Sequence, residues 1–159
     1  MGRKSIKENK NVYQVAREKL ELTRDQAAEK LQYISADRIE KIESEKVIPH
    51  PEEVLTMGQT YAEPGLWNYY CTNECPIGMK HIRKVERKEL SQITIEMLAA
   101  LNDLEEDKDR MVEISVDGKV TEDEKKDFIK ISKELDEIAS VVASLKLWVE
   151  HAILEGKMN

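Results

Sequence analysis

A chain of 159 residues, 36% of them charged and with only six glycines and four prolines, has room for one ordinary domain or two small ones and the profile of a helix-rich protein. Its net charge of −7 argues against a generic polyanion binder, and 5% aromatics leave any core to Leu, Ile, Val, Ala and Met. No apolar run approaches the ~18–20 residues that cross a bilayer, and MGRKSIKENKN leads into no apolar signal region. The expectation is a cytoplasmic protein with no membrane contact, whose two cysteines are reduced thiols.

The acid is unevenly placed. Residues 1–81 hold 12 Lys/Arg against 13 Asp/Glu, a net of −1, whereas residues 82–159 hold 13 against 19, a net of −6. Any nucleic-acid contact therefore belongs to the first half. A basic arm, residues 1–10, leads it with Arg3, Lys4, Lys7 and Lys10 against Glu8.

Residues 11–72 read as a string of five short helices. Val12, Val15, Ala16, Leu20 and Leu22 follow three/four spacing in the first. Thr23-Arg-Asp-Gln26 is a capping box, in which hydroxyl and amide side chains satisfy backbone N–H groups at a helix start. Ala27, Ala28 and Leu31 give the second helix a small inner face, and Ser35 is an N-cap for a third built on Ile39 and Ile42. His50-Pro51-Glu52-Glu53 opens a fourth, with proline in a first turn that needs no N–H donor; Val54, Leu55, Met57 and Gly58 line it. Glu63-Pro64 opens a short fifth, packed through Leu66, Trp67, Tyr69 and Tyr70. Pro76 and Gly78 then break helical order, so residues 73–81 are expected to be a connection.

The remaining residues, 82–159, predict a hairpin of two long helices, 82–115 and 121–155, each ~50 Å long. Leu90, Ile93, Met97, Ala100, Leu104, Met111 and Ile114 set the seam of the first. Phe128, Ile131, Leu135, Ile138, Val142, Leu145, Val149 and Ala152 set that of the second. Gly118 can end one helix, and Thr121-x-x-Glu124 can start the next. Ile129, Val141, Leu147, Trp148, Ile153 and Leu154 widen the apolar face beyond one neighbour, which favours a homodimer through residues 82–155 over a fold-back within one chain.

Leu22-Thr23, Gln26, Ala28, Leu31, Ser35, Ile39, Ile42, Glu43, Val54 and Leu55, in that order and spacing, resemble the lambda-repressor-like helix-turn-helix of the Xre family over about 60 residues. The expected fold class is therefore all-α: a five-helix lambda-repressor-like helix-turn-helix domain followed by a long antiparallel, coiled-coil-like helical hairpin. The resemblance implies that the second helix crosses phosphates and the third lies in the major groove of double-stranded DNA. Carried onto this chain, Arg24 meets phosphate, and Ala36, Asp37, Arg38 and Lys41 face bases. Arg38 leads them, since a guanidinium can donate twice to guanine. Arg3, Lys4, Lys7 and Lys10 would track the backbone or a minor groove. The chain departs from the family by one additional turn residue: Gln32-Tyr33-Ile34 stands where a glycine is usual, and Glu45 fills another such spot. Asp37 and Glu40 oppose phosphate binding. The expected function is a dimeric DNA-binding transcriptional regulator. The alternative is a protein-interaction module, in which the helix-turn-helix is scaffold and the acidic bundle binds a protein.

Two metal readings are weighed and declined. Cys71, Cys75 and His81, with His50, could hold zinc, but the spacing lacks a second ligand pair. Residues 113–124 resemble an EF-hand loop through Asp117, Gly118, Val120 and Glu124, with Thr121 also in the loop, yet Glu113 and Ser115 replace its usual opening acids. A well-capped turn explains the same residues. His50, His81 and His151 lie in separate contexts and no nucleophile or phosphate-cradle motif stands out, so neither an enzyme nor a cofactor is expected.

Overall fold

A computed structural model of the chain describes residues 10–158. Among them are eight helices and no strand: α1 Val12–Lys19, α2 Arg24–Leu31, α3 Ala36–Glu43, α4 Pro51–Thr60, α5 Gly65–Asn73, α6 Gly78–His81, α7 Leu90–Ser115 and α8 Lys125–Leu154. The chain forms two compact units, one running to Lys84 and taking in Glu150 onward, the other Val85–Val149.

The first unit is built from short capped helices around one core. Asn11, Thr23 and Ser35 each cap a helix through the side chain, and at Thr23 the reciprocal bond from Gln26 completes the box. Tyr13, Ala16, Ala27, Leu31, Ile34, Ile39, Ile42, Val54, Met57, Tyr61 and Leu66 fill the core. The inner face of α1 is rotated from the expected one, because Val15 and Leu20 are exposed while Tyr13 and Arg17 point inward. Polar anchoring accounts for the rotation. The Tyr13 hydroxyl donates to Glu74 at 2.7 Å, its ring meets Tyr69 edge-on at 6.0 Å, and Arg17 pairs with Glu43. Burial pushes the Tyr13 phenol well above its usual range. Leu55, expected to line α4, is likewise exposed.

Residues 73–81 do not form a simple connection. α5 ends at Asn73, and after residues 74–77 a further short helix, α6, begins at Gly78, where a Cβ would fall 2.1 Å from the Cys71 carbonyl oxygen. Only glycine lets α6 approach α5 so closely. The segment without helix is instead residues 82–89, so α7 starts eight residues later than expected.

The second unit is the helical pair. Arg110 bonds Asp127 at 2.8 Å and Asp107 pairs with Lys130, so three residues back along α7 correspond to three residues forward along α8. The helices are therefore antiparallel. Their facing sides are set by Ile93, Ala100 and Ile114 on α7 and by Ile131, Glu134 and Val141 on α8. This corrects the seam expected for α8, since Phe128 and Leu135 are 43% and 39% exposed. With Ile131, Glu134 and Val141 buried on the facing side, Phe128 and Leu135 are left outward.

Candidate nucleic-acid interface

The α2–α3 junction is closed by an unusual turn. Leu31-Gln32-Tyr33 closes a γ-turn, with the Tyr33 N–H bonded to the Leu31 carbonyl at 2.7 Å and Gln32 at φ 62°, ψ −53°. This hand of γ-turn is rare and strained for an L-residue. Glu45, just past α3, is also left-handed at φ 59°. Glu21 after α1 and Ala62 after α4 also have positive φ, at 56° and 51°. The additional turn residue is absorbed by burying Ile34 and by seating the Tyr33 hydroxyl on the Glu52 carbonyl at 2.8 Å. Gln32→Gly should relieve more strain than it adds chain entropy, raising unfolding stability by about 0.5–1 kcal/mol. Urea denaturation measures this, and an unchanged or lower midpoint would contradict the strain.

The expected DNA-facing residues from Arg24 to Lys41 have defined places. Arg24 donates to Glu43 at 2.8 Å, and that carboxylate, 1% exposed, also takes two bonds from Arg17 at 2.6 and 2.9 Å. Arg17 in addition caps the Leu22 carbonyl at 2.5 Å, so one acid locks α1, the α1–α2 turn and α2 onto α3. Arg38 makes a two-pronged pair with Glu53, both bonds 2.8 Å, and its side chain is 26% exposed. Glu53 also accepts from the His50 N–H at 2.7 Å. The Arg38 hydrogen bonds foremost, with help from the His50 N–H and against the opposing effect of burial, hold the Glu53 carboxyl below its usual range. The pair therefore stabilises the fold above the unfolded carboxylate pKa. That contribution is lost as acid protonates Glu53 through its depressed folded pKa.

Lys41 pairs with Asp37 at 2.7 Å, one turn apart on the open side of α3, with side chains 49% and 72% exposed. Ala36 is half-buried beside the Ser35 cap. The outer face of α3 thus presents Asp37, Glu40 and Lys41, two acids against one base. Arg3, Lys4 and Lys7 lie outside the described residues; Lys10 pairs with Glu18 at 2.6 Å. Sequence reading missed Glu53 as the partner of Arg38 and Tyr33 as the clasp of the turn. Glu53 was legible only as a capping residue, because its guanidinium partner lies fifteen positions away on another helix.

The metal candidates behave as local structure. Among the described residues no group of three His, Cys, Asp or Glu is placed to hold a metal ion. Cys71 and Cys75 are free, and the Cys75 sulfur accepts from the Gly78 N–H at 3.4 Å. Burial pushes the Cys71 thiol up. In the 113–124 stretch α7 runs on through Ser115, so the opening positions of a calcium loop are helical. Asp117 turns back to the Lys119 N–H, and Glu124 accepts from Thr121 N–H and hydroxyl at 2.9 and 2.7 Å. These carboxylates cap a turn in which Gly118 supplies the left-handed residue at φ 69°.

No protein-family model matches the chain, and no curated protein or solved structure matches it. No helix among the described residues is long and apolar enough to cross a membrane.

Proposed function

We propose that this protein is a DNA-binding regulator of the lambda-repressor-like kind, placing α3 in the major groove of double-stranded DNA. The observation that carries the reading is the capped pair α2 and α3, opened by the Thr23–Gln26 box and the Ser35 cap and packed on a common core through Ala27, Leu31, Ile39 and Ile42. Positive φ at Gln32 and Glu45, where the Xre pattern has glycine, agrees with it, although Glu21 and Ala62 follow α1 and α4 with positive φ too.

The roles of the basic residues shift under this reading. Arg24 and Arg38 are framework residues that orient α2 and α3, and Arg38 reaches a guanine only by leaving Glu53. Contact falls first to Ala36, Asp37 and Lys41, with Arg3, Lys4 and Lys7 adding phosphate contacts. With so few cations, one head binds weakly and affinity falls steeply with salt.

The test is fluorescence anisotropy on duplex DNA from upstream of the protein's own coding sequence, at 50 and 200 mM salt. Affinity is expected to fall at the higher salt and to drop about tenfold in Lys41→Glu. Absence of any salt-sensitive binding at 50 mM would remove the DNA reading.

A second reading, a protein-interaction module built on a helix-turn-helix scaffold, is favoured by the two acids and one base on the open side of α3. Asp37→Lys with Glu40→Lys separates the two. A groove-docking α3 gains affinity that differs between duplex sequences, whereas on a scaffold the added lysines give only sequence-independent, salt-sensitive attraction.

A further inference from the structure

The stripe that α8 turns away from α7 continues on α7 itself. Phe128, Leu135 and Val142 recur every seven residues, and Leu90, Leu101 and Val112 every eleven, so each set keeps to one side of its helix within about 20° per repeat. Relative to the side each helix presents to the other, both stripes are displaced by roughly 100° in the same rotational sense. In an antiparallel pair an equal sense brings both stripes to the same side. The hairpin therefore has one continuous apolar face, with Leu90 41%, Leu101 46%, Val112 64%, Phe128 43% and Leu135 39% exposed.

We infer that this face docks the same face of a second copy of the chain, closing a four-helix bundle about a two-fold axis. Size and charge both select that occupant. Helices of 26 and 30 residues are about 39 and 45 Å long, so a pair of them offers a face of roughly 40 by 20 Å, about 800 Å². That equals the area per partner in a stable interface of standard size. Residues 85–149 hold 10 Lys/Arg against 17 Asp/Glu, a net of −7, so a like copy is repelled wherever those acids face it. On this stripe the charges are the Lys108–Glu105 ion pair and Lys146, about five turns beyond Phe128, so this side carries none of the net acid found on the rest of the unit. A like-charged copy is thus tolerated here and opposed elsewhere on the unit.

The inference stands without the DNA reading, and its test contains no DNA, so either can fail alone. Light scattering of the full chain should give a mass near twice 18.4 kDa. Leu101→Glu and Leu135→Glu should each halve it while far-UV circular dichroism keeps the helical signal. Ile95→Glu, at a 69% exposed position on the far side of α7, should leave the doubled mass intact. A wild-type mass of 18.4 kDa overturns the inference. So does a doubled mass that survives Leu135→Glu and Leu101→Glu, since the contact then lies on another surface.

Discussion

Glu43→Gln is expected to cost about 3–5 kcal/mol of unfolding stability, the largest effect of any single substitution considered. The carboxylate is 1% exposed and takes three charged hydrogen bonds, two from Arg17 and one from Arg24. A buried amide in its place turns N–H donors toward guanidinium donors and leaves the Arg17 charge, 7% exposed, without its counterion. Arg24→Ala, by contrast, removes a partner that is 40% exposed and already hydrated, so its loss should stay near 1 kcal/mol. Guanidinium unfolding in a Trp148→Phe background reads this unit through Trp67 alone. A loss under 1 kcal/mol for Glu43→Gln would mean that the triad is ornamental to the fold.

Gly58→Ala pits two effects against each other. Alanine gains up to about 1 kcal/mol of helix propensity within α4. Its Cβ, however, would fall 2.1 Å from Trp67 Nε1 and 2.7 Å from Cε2, so the indole must leave its seat. The same indole N–H bonds the Leu55 carbonyl at 3.2 Å, and that contact goes with it. Overpacking of this kind costs about 1–3 kcal/mol, and the propensity gain offsets only part of it. The expected result is a net loss of about 1–2 kcal/mol with a red-shifted Trp67 emission. A gain in stability would show that the ring moves freely.

Much of the fold is legible in the sequence where the signal is local. Thr23 with Gln26, Ser35, and Pro51 in a first turn each mark a helix start that the structure keeps. The paired long helices follow from apolar periodicity, and Thr121 with Glu124 marks their turn. What local pattern leaves open is which apolar stripe meets which neighbour. Phe128 and Ile131 are both strongly apolar, and which of them is buried depends on the packing of α8 against a helix distant in sequence. The same limit applies to the candidate interface. Arg38 reads as a base contact until Glu53, on another helix, is seen to hold it. Gln32 is the reverse case. Its left-handed backbone appears in no residue preference of glutamine, and only the absence of an expected glycine signalled it.

The Arg38–Glu53 pair also limits how this chain can change. Losing either residue alone leaves a partly buried charge facing nothing, whereas exchanging both for apolar residues of similar volume is close to neutral. Each position is therefore permissive only in the background of the other. Under the proposed DNA reading, Arg38 becomes available to a base only together with a change at Glu53 on α4, whereas Ala36, Asp37 and Lys41 can vary without it. The helix pair α3–α4 would thus diverge in coupled steps at these two positions.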